Sequence, residues 1–172
     1  MQIRHATRSD LDHLATIEAA ADTLYAERFG AIGWAPPHSG VERAAAPGFL
    51  LVAADDDRAP YGFAHVLDLE GQAHLEQLAV IPARQCRGAG SALVQAAAVE
   101  AAGRGYVELT LMTYVDVPWN APFYERLGFV AIAPRTRLER ELAGIEHRLG
   151  LGRHGPRTLM VARVTSEGVT SE

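Results

Sequence analysis

The strongest chemical signal in this chain is a glycine-containing turn between a strand-like run and a helix-like run. Leu75 to Ile81 lead into Gln85-Cys86-Arg87-Gly88-Ala89-Gly90-Ser91, and an Ala-rich helical run continues to Ala102. The first turn of a helix carries backbone N–H groups without internal partners and the positive end of the helix dipole. Glycines let a ligand approach this backbone closely. The pattern therefore predicts a site for phosphate oxygens.

Two other phosphate-binding patterns fit poorly. A P-loop needs a lysine followed by Ser or Thr, whereas this chain contains no lysine and its 16 Lys or Arg residues are all arginine. A dinucleotide-binding Rossmann turn follows the first strand and has an acidic residue about 20 positions later. Here the turn lies mid-chain, and the acid in the corresponding region, Glu108, falls inside a strand pattern. The Rossmann interpretation is therefore poor.

Motifs on both sides of the turn carry a family resemblance. Ile3-Arg4-x-Ala6-Thr7-x-x-Asp10 opens the chain, Leu78-Ala79-Val80-x-Pro82 precedes the turn, and Phe123-Tyr124-Glu125-Arg126-Leu127-Gly128-Phe129 follows it. In this order and spacing they resemble the GNAT superfamily of acetyl-CoA-dependent N-acetyltransferases over nearly the whole chain. The resemblance implies acetyl-CoA as co-substrate, no metal, and transfer of the acetyl group to a primary amine of a small molecule or peptide.

The same resemblance implies where the cofactor lies. The pyrophosphate is expected at residues 85–91 and the pantetheine arm along residues 78–80, where a freed backbone N–H would face the thioester oxygen. Phe123 and Asn120 are also expected on the cofactor side. Asn120 precedes the motif tyrosine by four positions, whereas seven is the commoner family spacing, so helix capping is its alternative role. Arg84 would supplement the phosphate site or remain a surface charge, as would Arg87 within the turn.

Acetyl transfer to an amine needs an unprotonated nucleophile, a stabilised oxyanion and a proton for the leaving thiolate. Tyr124 matches the family's general acid, and packing on the sheet is its alternative role. Glu76 and His74 share a strand face. Glu76 is the candidate base, with a solvated surface carboxylate as the equal alternative. His65 and His74 are assigned to structure or to the lining of the substrate site.

The acceptor site is expected from residues 17–34, the loop 114–119 and the C-terminal part of the chain. Glu18, Asp22 and Asp116 would favour a cationic amine if they face the cleft. Trp34 and Trp119 would line an apolar acceptor pocket, with core or dimer contact as the equal alternative. A homodimer is left open.

Composition narrows the function classes. The chain has 172 residues, of which 48% are hydrophobic, and a net charge of −5. This size fits one domain, and the charge disfavours nucleic acid or anionic membrane as a partner. The single cysteine, Cys86, excludes an internal disulfide and a multi-thiolate metal site, and it is interpreted as a small filler residue. Without a signal-like or membrane-spanning run, the expected location is the cytoplasm.

The element pattern predicts an α/β fold: a single domain over residues 1–164 and a disordered tail over 165–172. Its central sheet is mixed and mostly antiparallel, with about six or seven strands, a splayed parallel pair formed by the fourth and fifth, and flanking helices. Capping boxes at Ser9–Asp12 and Ser39–Glu42 start the first two helices. Strands are predicted at 3–5, 49–54, 61–69, 73–81, 106–113, 129–133 and 158–164, and further helices at 91–102, 120–128 and 138–149.

Two alternatives to an amine acetyltransferase remain open from the sequence. One is a CoA-binding module with weak or no turnover that senses acyl-CoA or scaffolds a partner. The other is an acyltransferase with a longer donor or a hydroxyl acceptor. The presence of Tyr124 and Glu76 argues mildly against the sensor.

Overall fold

The computed structural model describes residues 1–30, 33–56 and 58–170, and it contains the predicted helices and strands. The helices are α1 (Leu11–Phe29), α2 (Gly40–Ala45), α3 (Ala89–Gly103), α4 (Ala121–Glu125) and α5 (Arg137–Arg148). The strands are β1 (Gln2–His5), β2 (Gly48–Ala54), β3 (Gly62–Leu69), β4 (Gln72–Val80), β5 (Glu108–Tyr114), β6 (Val130–Ile132), β7 (Arg157–Thr165) and β8 (Gly168–Thr170). Among the described residues, no helix combines the length and apolar character needed to cross a membrane.

The first of two compact units contains Met1–Leu67 and Glu76–Ala97. Its strands are hydrogen-bonded in the order β1-β2-β3-β4, and β2 is antiparallel to both β1 and β3. The apolar residues of α1 recur at helical spacing and form one face. This face enters the core, whose buried residues are Leu14, Ile17, Leu50, Val52, Phe63 and Ala79. The helical period in the sequence thus predicted the buried side of α1.

The second unit contains Asp68–Leu75 and the chain from Ala98 onward. The beginning of β4 pairs in parallel with β5, with Ala73 opposite Leu109 and His74 opposite Thr110. β7 pairs antiparallel with β5, β6 and β8. A parallel pair needs a long crossover, which α3 provides. The predicted fold class, an α/β domain with a mixed, mostly antiparallel sheet and a parallel fourth and fifth strand, is confirmed.

The start of α1 differs from its prediction. A 3-10 turn at Arg8–Asp10 precedes the helix, and the capping box is Thr7–Asp10 rather than Ser9–Asp12. The Asp10 carboxylate accepts the Thr7 backbone N–H at 2.7 Å and pairs with Arg4 at 2.6 Å. An ion pair from β1 therefore moves the cap toward the N-terminus. The second predicted box, Ser39–Glu42 before α2, is confirmed.

The C-terminal segment also differs from the expectation of disorder after Val164. β7 continues to Thr165, and β8 (Gly168–Thr170) pairs with it in a tight antiparallel hairpin. Sequence polarity alone predicts solvation, whereas backbone pairing with an adjacent strand orders a polar segment. The last two residues of the expected tail, 171 and 172, lie outside the described residues.

Candidate functional site

The turn after β4 has the local geometry of an anion site. A 3-10 turn, Pro82–Arg84, follows β4, and the Gln85 side chain donates to the Val80 carbonyl at 2.9 Å. Gly88 has φ +83°, and a Cβ built there would meet nothing within 4 Å. This conformation favours glycine. The open side of the turn leaves room for a ligand beside the backbone.

Helix α3 begins directly after Gly88. Its first hydrogen bond runs from Ala92 N to Gly88 O at 2.9 Å. The amides of Ala89, Gly90 and Ser91 precede this bond and therefore have no acceptor within the helix. Together with the helix dipole, they form a donor set that suits phosphate oxygens.

The side chains around the turn differ in whether they are free to contact a bound phosphate. Arg84 pairs with Asp55 at 2.8 Å and lies over the Tyr61 ring at 4.8 Å. Arg84 is therefore directed toward the loop that follows β2. This orientation disfavours the role of phosphate ligand that the sequence allowed. Arg87 and Cys86 are exposed in the turn.

Helix α2 brings a buried arginine to the first unit. The helix has six residues, too few to be stable alone. It lies so close to α1 that a Cβ on Gly40 would be 2.2 Å from the Leu11 carbonyl oxygen. This close approach and the Ser39–Glu42 cap fix the orientation of α2. Arg43 on its inner side is 3% exposed.

Arg43 joins two carboxylates from different elements. Its Nη2 contacts Glu18 Oε2 of α1 at 2.5 Å, and its Nη1 contacts Glu76 Oε2 of β4 at 2.5 Å. The guanidinium also lies over the Phe63 ring at 5.3 Å. Glu76, the predicted base, is therefore held in a charged network. The alternative of a freely solvated carboxylate does not describe it.

Burial and charge move the titration of these carboxylates in opposite directions. Burial by itself raises the pKa of Glu76, but the hydrogen bond from His65 and the charge of Arg43 outweigh it and hold the pKa below its ordinary value. Burial raises the pKa of Glu18 to about 7, against the opposing charge of Arg43. Burial also raises the pKa of Asp22, one helical turn after Glu18. The region therefore holds more carboxylate than Arg43 neutralises.

The pKa of Glu18 predicts a specific pH dependence of stability. Between its ordinary pKa of 4.5 and about 7, the folded protein holds this proton more tightly than the unfolded chain, so stability falls as pH rises through the window. We expect Glu18→Gln to gain ~2–3 kcal/mol relative to the unsubstituted protein between pH 4.5 and pH 8. Urea unfolding across this range measures the difference. A similar trend in Glu27→Gln, an exposed site on the same helix, would contradict the assignment.

The second unit contains the predicted general acid. Tyr124 is buried on α4, and its ring meets Phe123 at 5.0 Å and Phe129 at 5.6 Å in edge-to-face contacts. Asn120 stands at the N-cap position of α4, but its side chain makes no capping hydrogen bond. The prediction that the Asn120 side chain caps this helix is therefore wrong.

The remaining candidate residues have varied surroundings. His74 Nδ1 lies 2.9 Å from Thr110 Oγ1, which donates to the Ala73 carbonyl, so the ring donates to Thr110 within the second unit. Trp34 packs against Tyr25 at 5.1 Å. Asp116 and Trp119 are exposed in the loop after β5, and residues 31 and 32 of the first acceptor segment lie outside the described residues.

Comparison with known proteins shows to which family this chain belongs. The pattern of the acetyltransferase (GNAT) domain matches residues 46–131, half of the chain. The chain belongs to the GNAT acetyltransferase family. The matched segment of this GNAT protein includes β4, the glycine turn and Tyr124. The resemblance inferred from the three sequence motifs is thereby confirmed.

Solved structures show the same GNAT fold at low identity. An aminoglycoside 6'-N-acetyltransferase in complex with coenzyme A matches with a TM-score of 0.66 and 18% identity, over 96% of this chain and 98% of that one. An Escherichia coli N-acetyltransferase for a ribosomal-protein alanine matches at 0.65 and 20%, over 95% and 94%. N-acetylglutamate synthase from Neisseria gonorrhoeae, complexed with coenzyme A and N-acetylglutamate, matches at 0.66 and 19%, over 95% of this chain and 35% of that one.

Sequence reasoning missed the central residue of the charged network. Arg43 lies in an Ala-rich helix of six residues, too short for a hydrophobic period to show which side is buried. His65 was assigned to structure or to substrate lining, without a partner. The available signal was the pair of acidic residues Glu18 and Asp22 one helical turn apart on α1, together with Glu76 on β4, because such a group calls for a counter-charge. It did not show which arginine supplies that charge.

Proposed function

We propose that this GNAT protein transfers the acetyl group of acetyl-CoA to a primary amine, directly and in a ternary complex. The observation that carries the proposal is the open glycine turn that joins β4 to the N-terminus of α3 within the family match. The amides of residues 88–91 would hold the pyrophosphate, and exposed Arg87 would supplement their charge.

The thioester end of the cofactor is assigned to β4. Residues 78–80 form the end of this strand, immediately before the turn. An extended pantetheine arm along them would bind as an added strand does, through backbone hydrogen bonds. One backbone N–H would then stabilise the oxyanion. Phe123 and Asn120 are assigned to the cofactor as well.

Proton transfer needs a donor for the thiolate and an acceptor for the amine proton. Tyr124 is the proposed donor. Glu76 is the proposed proton acceptor, since its partly exposed carboxylate is held in a fixed position by Arg43 and His65. No metal takes part in the proposed reaction.

The proposed acceptor is a cationic amine of a small molecule or peptide. Glu18, Asp22 and Glu76 place three carboxylates around the single guanidinium of Arg43. Excess negative charge in a partly buried group of carboxylates is stabilised by a bound cation. Two of the similar structures are of acetyltransferases named for an aminoglycoside and for an alanine of a ribosomal protein, respectively. We place the reaction in the cytoplasm.

Calorimetric titration with acetyl-CoA tests the cofactor assignment, with dephospho-CoA and ATP as competing ligands. We expect saturable binding that Gly88→Val weakens at least ~10-fold, since the side chain would stand between the backbone and the phosphates. Gly71→Val is the matched control because Gly71 has φ +82° and equally open space, but lies in the β3–β4 hairpin. The backbone strain is then alike in the two variants, and only Gly88→Val blocks the ligand.

The outcomes separate the candidate functions. No binding at millimolar acetyl-CoA, or equal weakening by both valine variants, would contradict the turn assignment. Binding followed by turnover in a panel of primary amines supports the acetyltransferase. Binding without turnover for any amine in the panel would favour the acyl-CoA sensor instead.

A further inference from the structure

The hydrogen bonds of the Glu76 carboxylate are all made by one of its two oxygens. Arg43 Nη1 lies 2.5 Å from Oε2, and His65 Nδ1 lies 3.0 Å from the same atom. Within the described part of the chain, no hydrogen bond or ion pair reaches Oε1. The structure therefore distinguishes an oxygen that is held, Oε2, from one that is free, Oε1.

The two oxygens also differ in their surroundings. The partners of Oε2, Arg43 and His65, are 3% and 4% exposed, whereas the Glu76 side chain is 33% exposed. Oε2 is thus directed toward buried groups, and the exposed part of the carboxylate lies on the Oε1 side. A substrate amine can approach Oε1 from solvent without displacing Arg43 or His65.

Arg43 is fixed by contacts that do not involve Glu76. Its Nη2 pairs with Glu18 Oε2 at 2.5 Å, and its guanidinium lies over the Phe63 ring at 5.3 Å. The backbone of α2 is fixed in turn by the Ser39–Glu42 cap and by its close approach to α1. A planar guanidinium that is held in this way presents its Nη1 donor in one direction. Arg43 therefore sets the orientation of the Glu76 carboxylate.

We propose that Arg43 is a positioning residue for the acetyl transfer: it holds Glu76 Oε2, so that Oε1 alone meets the acceptor amine. The proposal rests on the proposed function, in which Glu76 accepts the amine proton. It adds which oxygen receives that proton and which residue orients it. Orientation matters because a small displacement of a reacting group lowers the rate steeply.

The proton and the electrons balance in this step. An N–H bond of the substrate ammonium breaks, its electron pair stays on nitrogen, and the proton forms a bond to Oε1. The nitrogen then attacks the thioester carbonyl carbon. Although burial raises the pKa of Glu76, the hydrogen bond with His65 and the charge of Arg43 hold that pKa below its ordinary value. Oε1 therefore releases the proton to solvent water.

Charged and titratable side chains surround the Arg43–Glu76 pair from two further elements of the first unit. α1 contributes Glu18 and, one turn later, Asp22, and β3 contributes His65. Burial raises the pKa of Glu18 to about 7, so the charge beside the pair changes around neutral pH. Turnover is therefore compared at a single pH of 8, above the pKa of Glu18.

A double-mutant cycle tests whether Arg43 acts through Glu76. Arg43→Lys keeps a positive charge but loses the planar fork that fixes two carboxylates. With acetyl-CoA and spermidine as substrates, we expect Arg43→Lys to lower kcat at least ~10-fold and to leave the calorimetric affinity for acetyl-CoA unchanged. In a Glu76→Gln background the same substitution should change kcat less than about two-fold, because the group that Arg43 positions is gone.

Arg4→Lys is the matched control in the same unit. Arg4 holds the Asp10 carboxylate with two nitrogens, at 2.6 and 3.0 Å, and no step of the reaction is assigned to this pair. We expect Arg4→Lys to lower stability in urea without lowering kcat. The proposal is overturned if Arg43→Lys has the same effect with and without Glu76, or if Arg4→Lys reproduces it, since Arg43 would then be merely structural. Unchanged kcat in Glu76→Gln alone would contradict Glu76 as the proton acceptor.

NMR of the Glu76 carboxyl carbon tests the contact with Arg43 without turnover. In the unsubstituted protein, we expect the pKa of Glu76 to lie below its ordinary value of 4.5. Arg43→Gln removes the charge and should raise this pKa, since burial is then less opposed. Titration below pH 6 favours a folded variant, because Glu18 is protonated there. An unchanged pKa would overturn the proposal even in an active enzyme, and if spermidine is not acetylated, this titration alone decides whether Arg43 holds Glu76.

Discussion

Replacing Arg43 by methionine is expected to lower the free energy of unfolding by ~3–5 kcal/mol at pH 8. The side chain is 3% exposed and pairs with both Glu18 and Glu76. Methionine fills similar space but leaves two carboxylates without a counter-charge. The loss should be smaller at pH 5.5, because Glu18, with a pKa of about 7, then takes up a proton. Urea unfolding at the two pH values measures both effects.

A matched control exists on the surface of the second unit. Arg137 forms an exposed pair with Glu141 one turn later on α5, and Arg137→Met should cost no more than about 0.5 kcal/mol. Adding Glu18→Gln and Glu76→Gln to the Arg43 variant removes the uncompensated charges and should restore much of the stability. A cost below about 1 kcal/mol for Arg43→Met at pH 8 would mean that water, and not Arg43, compensates the carboxylates.

Replacing Tyr124 by phenylalanine is expected to reduce kcat by ~10²–10⁴-fold while leaving the affinity for acetyl-CoA unchanged. Phenylalanine keeps the ring contacts with Phe123 and Phe129, so α4 should retain its packing. Only the hydroxyl is lost, and with it the proposed proton for the leaving thiolate. Steady-state turnover with a primary amine, together with calorimetric binding, separates catalysis from binding.

Tyr106 supplies the control for this variant. Its hydroxyl bonds Asp68 within the second unit, in a place to which no step of the reaction is assigned. Tyr106→Phe should change kcat by less than about two-fold, within the usual effect of a surface substitution. Unchanged turnover in Tyr124→Phe would remove Tyr124 as the acid and return it to packing on the sheet.

Local periodicity in the sequence determined much of the fold. The recurrence of Leu14 and Ile17 predicted the buried face of α1, the Ser39–Glu42 box predicted the start of α2, and a helix between the fourth and fifth strands predicted their parallel pairing. The glycine turn could also be predicted, because the φ of +83° at Gly88 is a local backbone conformation that favours glycine. These features depend on neighbours in sequence.

Only the tertiary structure showed which distant charges meet. Arg43 lies 25 positions from Glu18 and 33 positions from Glu76 in the sequence. No spacing rule links residues that are so far apart. The sequence proposed Glu76 as a base, but its partners decide how it can act. β3 adds His65, whose Nδ1 lies 3.0 Å from the Glu76 carboxylate of β4. Burial of a charge costs free energy unless a counter-charge is present, so the partners are selected by packing in three dimensions, which the order of residues alone does not contain.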